Sequence, residues 1–443
     1  MSVPRRTPGE RHHAPAPRAP RSRCTTLDRS LFAKTLSLAA ATVQDNRNIA
    51  RLRKQLTKGR ELLEWERLNA CKPDPVETGK KCLLLKEGVK ADAPSTWGPL
   101  LQAAVEAQEV SVIPYELQLD YDYWSYLDVI SSILPEDLHG EIPVGFNTAG
   151  HIAHLNLRDR YLPYKSIIAQ VILDKNPKLR TVINKTDNVG TESEFRTFTY
   201  EVLAGPNDMD VEVKENDCTF QFDYSKVYWN SKLETEHSRL IRLFQPGEVV
   251  ADVMAGIGPF AIPSGRKGVF VFANDMNPES YKCLDAAIAR NKVGQYVRAF
   301  NQDGRAFIHA SARLVREAAA RGDEVVLHPK THFVMNLPAS ATTFVHHFRG
   351  LYHGQEALFA PHTLAQLPLV HVHCFAVKQD DEVPLLDICD RIFHEIGVRF
   401  KPGDAANEGE MSIYNVRDVA PKKRMFCASF RIPPEVAFAS ETS

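Results

Sequence analysis

The chain reads as a mixed α/β protein, with a mainly parallel, doubly wound sheet in its second half and two small α+β modules before it. Three observations carry this expectation. After residue 222, short apolar runs alternate with helix-length amphipathic stretches, and repeated strand–helix units build a parallel sheet with helices on both faces. The first of those runs, "EVVADV", passes directly into the glycine-containing turn "MAGIGPF", a break that opens a strand end to a ligand. At 443 residues the chain also exceeds one ordinary core, so two or three domains are expected.

Taken in order, residues 1–26 form a tail. Its "MSVPRRTPGERHHAPAPRAPRSRC" is rich in Arg and Pro and holds one acid, Glu10. Such a segment buries too little apolar surface to fold. Its arginines also suit a mitochondrial presequence, although the prolines oppose the amphipathic helix that a presequence forms. Residues 27–119 make the first module. Leucines and alanines among charges read as helix from Leu27 to about Arg67, and "KCLLLKEGV" and "SVIPYELQLDY" read as strands around the helix "WGPLLQAAVEAQ".

Residues 120–222 make the second module. Here "YWSYLDVISSILPEDL" and "YKSIIAQVILDKN" read as helices, while "GHIAHLNLR", "LRTVINK" and "FRTFTYEVLAG" read as strands. Residues 223–443 carry the doubly wound sheet. Its strands are "EVVADV", "VFVFAND", "YVRAFNQD", "HFVMNLP" and "PLVHVHCFAV", with a terminal hairpin from "MSIYNVRDV" and "KRMFCASFRI". Helices are expected over Pro278–Asn291, Ala306–Ala320 and Ser340–Leu351, and on the apolar positions Leu385, Ile388, Ile392 and Ile396.

Composition excludes some classes. The chain is 44% hydrophobic and 25% charged, as globular proteins are, and no apolar run reaches the roughly 18 residues of a membrane helix. Eight cysteines without a CxxC pair point to reduced thiols inside a cell. The net charge of -1 gives no global attraction to nucleic acid, so any such contact must use local clusters such as "KNPKLR", "RLIR" and "APKKR".

In a doubly wound sheet the ligand binds beyond the carboxyl ends of the strands. Gly256 and Gly258 stand there and let backbone approach it closely. The second strand ends at Asp275, about 20 residues on, where an acid can accept from both ribose hydroxyls. A dinucleotide would also require a third glycine and a free helix N-terminus, whereas Pro259 and Pro263 interrupt this turn. The ligand is therefore a nucleoside without phosphate, and S-adenosylmethionine fits. Asp303 can accept from the adenine amino group, with room left by Gly304, although Asp-Gly is also a plain turn pair. Together these features predict a class I, Rossmann-like, S-adenosylmethionine-dependent methyltransferase domain.

The fourth strand ends in "MNLP". Asn336 can pair with the edge of an amide or nucleobase, and Pro338 would fix the backbone so that a strand-end carbonyl points to the ligand. Ahead of the first strand, "TEH" sets Glu236 beside His237. Thr235 would cap the helix there, and Glu236 would either offset its dipole or act as a general base at the mouth of the site. No metal is expected, since "HVHC" at 371–374 reads as alternating strand residues.

With these motifs the chain resembles the eukaryotic and archaeal tRNA (guanine-37-N1)-methyltransferases. The likeness runs from about Leu27 to Pro433 through "GHIAHLNLRDRYLPYKSIIAQVILDKNP", "EFRTFTYEVLAG", "SKVYWNSKLETEH", "DVMAGIGPF", "NDMNP" and "MNLP", with Met254 and Pro263 as departures. The resemblance implies that Glu236 removes the N1 proton of guanine, Arg196 stabilises charge on O6 and Asn336 holds the base edge. It implies that Tyr228 packs at the pocket, and that His237, Asp275, Met276, Asp303, Gly304 and Asn336 line the donor site. The first two modules would then position the tRNA body and its anticodon loop.

Two alternatives stay open: an aminocarboxypropyl transferase using the same cofactor, and a non-catalytic tRNA-binding protein. A monomer with no membrane partner is expected, distributed among cytoplasm, nucleus and mitochondrial matrix.

Overall fold

The structure is a computed structural model and describes residues 17–22, 26–186, 195, 197–320, 331–360 and 366–440. Most of the tail and Arg196 lie outside these residues.

The chain divides into two compact units. One comprises the residues up to Gly145 together with Leu157–Pro177, and the other comprises Phe146–Asn156 with Lys178 onward. The expected boundaries at 119 and 222 do not coincide with this division, because the 120–222 segment contributes to both units. Its helices pack together in the first unit and its strands pair in the second, and a cut at 222 would fall inside the last strand of a hairpin.

In the first unit, β1 (Lys34–Val43), β2 (Cys71–Pro73), β3 (Lys81–Leu84) and β4 (Val110–Leu119) form a sheet in the order β2-β3-β1-β4. Helices α1 (Ile49–Lys58), α2 (Pro99–Glu106), α3 (Tyr126–Ile133) and α4 (Lys165–Lys175) accompany it. The expected helix from Leu27 to Arg67 is corrected here, since "KTLSLAAATV" is a central strand. It pairs along its whole length with β4, from Lys34 opposite Leu119 to Val43 opposite Val110. Two-sided strand pairing overrides the helical propensity of its leucines and alanines. The buried Glu61 accepts from the backbone N–H groups of Leu100 (3.0 Å) and Leu101 (2.8 Å). It thus satisfies the donors left free at the start of α2.

The second unit begins with a small sheet, β5 (Asn147–Ala149), β6 (Ile152–Leu155), β7 (Thr181–Lys185) and β8 (Tyr200–Ala204), followed by the hairpin β9 (Asp210–Glu215) and β10 (Cys218–Asp223). Helix α5 (Glu234–Leu243) leads into the large sheet: β11 (Val249–Asp252), β12 (Phe270–Asn274), β13 (Val297–Phe300), β14 (Thr331–Met335), β15 (Leu369–Val377), β16 (Lys401–Pro402), β17 (Glu410–Ala420) and β18 (Lys423–Arg431). Between these run α6 (Ala261–Arg266), α7 (Pro278–Arg290), α8 (Gly304–Ala320) and α9 (Val383–Ile396), with α10 (Pro434–Ala437) at the end. The α-helix expected over Ser340–Leu351 is corrected to a 3₁₀ helix at Ala341–Phe348. Its Thr342, Thr343 and Val345 are β-branched and resist α geometry.

Strand order is β13-β12-β11-β14-β15-β18-β17-β16, parallel from β13 to β15. The order reverses between β11 and β14, the switch point where such sheets bind ligands. Each face of the sheet has its own core. Val249, Ala251, Phe333 and Met335 pack with Phe307 and Ile388 on one face. Val250, Val271 and Ala273 pack with Phe260, Leu284 and the small-sheet residues Ile152 and Ile183 on the other. Both faces of each central strand are buried, which is why these strands read as continuous apolar runs.

Candidate active site

A cavity of 330 Å³ opens at the carboxyl ends of β11, β12 and β14, within the range of small-molecule sites. Val253, Met254 and Gly256 line it from the first turn, Asp275 and Met276 from the end of β12, Asp303 and Gly304 from the start of α8, and Asn336 and Leu337 from the end of β14. Tyr228 and Phe195 add to the wall. Seven of the expected residues therefore meet in one place: Tyr228, Gly256, Asp275, Met276, Asp303, Gly304 and Asn336.

Strand ends converge because Asn274, fully buried, ties them. Its Nδ2 donates to the carbonyls of Val253 (3.1 Å) and Gln302 (3.0 Å), and its Oδ1 accepts from Gln302 N–H (2.9 Å). The adjacent Asp275 accepts from Gly256 N–H through Oδ2 (2.8 Å) and from Asn277 N–H through Oδ1 (2.9 Å). Burial pushes its carboxyl up, against those two backbone hydrogen bonds. Each carboxylate oxygen keeps a second lone pair, so the pair can still accept from two vicinal hydroxyls. Asp303 serves both readings: it lines the cavity and caps α8, accepting from Arg305 N–H at 2.7 Å. The Arg305 guanidinium lies over the Phe344 ring at 5.2 Å, and both side chains line the cavity.

The glycines divide their labour. Gly256 has φ +58 with open space where a Cβ would stand, and it faces the cavity. Gly258 does not line the cavity, which corrects its expected ligand role. At φ +95 a Cβ there would sit 2.7 Å from Leu284 Cδ1, so this glycine allows close packing against α7. The proline turn is likewise corrected. The Leu337 carbonyl accepts from Ser340 and Ala341 N–H, and the Pro338 carbonyl accepts from Phe375 N–H. The Leu337 carbonyl uses both lone pairs to close the turn and is not left for a ligand, while the Pro338 carbonyl ties the turn to β15.

His237 and Glu236 differ most from expectation. His237 is buried, with Nδ1 on the Glu215 carboxylate and its ring edge-on to Phe260. It fastens α5 to the β9–β10 hairpin and does not line the cavity. Thr235 falls inside the first turn of α5, since the cap position is Leu233. Glu236 is buried rather than at the mouth. Arg239 grips it through Nε to Oε2 (2.7 Å) and Nη2 to Oε1 (2.8 Å), and His373 Nε2 lies 2.7 Å from Oε1. Burial would raise its pKa, but the Arg239 and His373 hydrogen bonds prevail and hold it down at about 2.

Sequence reading missed this polar belt under the sheet. Donor atoms of Glu236, His373 and Cys427 lie within 4.8 Å of one another. With Arg239 bonded to both carboxylate oxygens, the charge a cation would need is already balanced, so Glu236, Arg239 and His373 act as an ion-pair network. Burial disfavours the His373 imidazolium, yet the Cys427 sulfur and the Glu236 carboxylate push it up. Nearby, Glu248, His332, His371 and Ser429 run as a second chain with steps of 3.2, 3.0 and 2.8 Å. The signal is present in "HVHC": two histidines on one face of a strand otherwise apolar.

Residues 126–208 match the family model described as the TYW2 N-terminal domain, and residues 211–356 match the TRM5/TYW2 methyltransferase domain. A Fusarium vanettenii protein named tRNA (guanine(37)-N(1))-methyltransferase is 60% identical over 96% of this chain and 97% of its own. Proteins of the same name from Neurospora crassa and Schizosaccharomyces pombe are 59% and 43% identical, over 96% and 94% of this chain and 95% and 96% of theirs. Among solved structures, Trm5b from Pyrococcus abyssi superposes with a TM-score of 0.58 at 22% identity, covering 89% of this chain and 99% of that one. The complex of aTrm5 with tRNALeu gives a TM-score of 0.61 at 20% identity, covering 89% and 100%. Both share the fold.

Proposed function

Because the chain belongs to the tRNA (guanine(37)-N(1))-methyltransferase family, we infer that it transfers a methyl group from S-adenosylmethionine to N1 of guanine 37 in tRNA. The observation that carries this is the cavity at the switch point, where Asp275, Asp303 and Asn336 converge from three strand ends. When bound, S-adenosylmethionine supplies a sulfonium methyl, an electrophile that needs no metal. Asp275 would accept from the ribose hydroxyls and Asp303 from the adenine amino group, with Met276 and Gly304 lining the same cavity. Asn336 holds the edge of the target base, and Tyr228 packs beside it.

Guanine N1 is a poor nucleophile until its proton leaves, and a carboxylate base is worth roughly 10²–10⁴ in rate. Glu236 takes that part, and to reach N1–H it must exchange an Arg239 hydrogen bond for the substrate's. Arg196 offsets charge on O6, as a guanidinium can in a site closed to water. The base is stacked in an anticodon loop and must be flipped out, at a cost of a few kcal/mol.

The enzyme is read as a monomer, present in cytoplasm, nucleus and mitochondrial matrix, a distribution to be checked by imaging a C-terminally tagged chain. The test of the activity is methyl incorporation into a tRNA transcript carrying guanine at position 37 against one carrying adenine there. Labelling of the first alone supports the assignment, and equal labelling refutes it. An RNA substrate also predicts turnover that falls as salt rises.

A further inference from the structure

We propose that His373 is the positioning residue of the catalytic carboxylate, holding Oε1 of Glu236 in place while Arg239 is exchanged for the guanine. The inference rests on Glu236 being the base. Features of the buried cluster carry it. His373 Nε2 is 2.7 Å from Glu236 Oε1, and a carboxylate can only accept, so Nε2 bears the proton. The His373 side chain is 0% exposed and stands mid-strand in β15, opposite Cys427 of β18 and one residue past Val372, the last to pair with β14; it has nowhere to go.

Arg239 differs. Its side chain is 23% exposed, and its guanidinium lies over the Tyr414 ring at 4.2 Å, a platform that can keep it when the carboxylate leaves. The two cations on Glu236 therefore have different mobility: one is fixed in the sheet and one faces solvent. With Arg239 displaced, His373 is what keeps the carboxylate ionised and aimed in a dry site. The other groups facing the pair are Cys427 on β18, Asp252 on β11 and His371 on β15.

The experiment is single-turnover methyl transfer to a guanine-37 transcript at saturating donor from pH 5 to 8, with donor affinity by calorimetry as the folding check. Glu236→Gln is the control. If it is inactive at every pH the base assignment stands, and if it is active that assignment fails, whatever His373 does.

His373→Asn removes the donor at Nε2, and the acid limb of its rate profile, set by the carboxylate once Arg239 has left it, is expected to lie at least about one pH unit above that of wild type, a roughly tenfold lower rate at any pH on that limb. His373→Gln restores a neutral donor at the same place and is expected to recover part of that loss. An unchanged pH profile in His373→Asn, or a loss equal at all pH values, overturns the proposal. Should His373→Asn fail to bind donor, the pH profile of His373→Gln decides instead. An acid limb above that of wild type supports the proposal, and one coincident with wild type overturns it.

Discussion

Replacing Asp275 by Asn tests how the cavity holds its cofactor. In the structure each carboxylate oxygen takes one backbone N–H, Gly256 at 2.8 Å and Asn277 at 2.9 Å, and leaves one lone pair for a ribose hydroxyl. The amide keeps one oxygen and turns an NH₂ group toward one of those N–H donors. A charge-assisted hydrogen bond to the ribose is lost, worth about 1.5–3 kcal/mol, and a buried N–H loses its acceptor, at about 1–3 kcal/mol. Part of the second cost falls on the free protein, so the net loss of binding is about 2–4 kcal/mol, or about 30- to 700-fold in Kd. Calorimetric titration with S-adenosylmethionine and with S-adenosylhomocysteine measures it. Both should weaken alike, since the ribose is common to them. A change below about threefold would refute the assignment of Asp275 to the ribose.

Other consequences are equally direct. Asp252 is fully buried, and burial followed by the nearby Asp275 charge pushes its pKa from 3.8 to about 8. The folded protein thus holds a proton that the unfolded chain has released, and stability declines between pH 4 and 8 by up to about 1.4 kcal/mol per unit. Asp252→Asn should therefore raise the Tm, and more at pH 8 than at pH 5; an equal shift at both would show that Asp252 does not titrate in this window. Gly258→Ala places a side chain at φ +95 against Leu284; backbone strain alone costs about 1–3 kcal/mol, so thermal scans should show a Tm several degrees lower, and an unchanged Tm contradicts the packing role. Glu236→Gln should abolish turnover while leaving donor affinity within about twofold, since Glu236 does not line the cavity; a large loss of donor affinity would place it in the cofactor site instead.

What the sequence disclosed follows from distance along the chain. Gly256, Asp275, Asp303 and Asn336 each stand just past a recognisable strand, and parallel strands bring their ends together whatever lies between, so the cofactor side of the cavity is legible. The base is legible as a residue and not as an environment: Glu236 and His373 are 137 positions apart, and nothing in "TEH" or "HVHC" tells which strand face turns toward α5. Gly258 and Gly256 look alike in the motif, and only the nearness of Leu284 separates their tasks. In the first unit the run "KTLSLAAATV" has helix-forming residues, and its ten-residue pairing with β4 is a long-range fact that local propensity cannot supply. The segment 120–222 shows the same limit: its helices and strands are plain locally, while their division between two units depends on contacts made elsewhere.

Chemical identification of the product probes the whole reading of the site at once. The enzyme is reacted with a guanine-37 tRNA and S-adenosylmethionine, the product is digested, and the modified nucleoside and its position are identified by mass spectrometry. Methyl transfer to N1 yields 1-methylguanosine at position 37, the mass of one methyl in place of one hydrogen, and nothing elsewhere. An aminocarboxypropyl adduct, a methyl on another atom of the base, or modification at another position would show that the site does different chemistry.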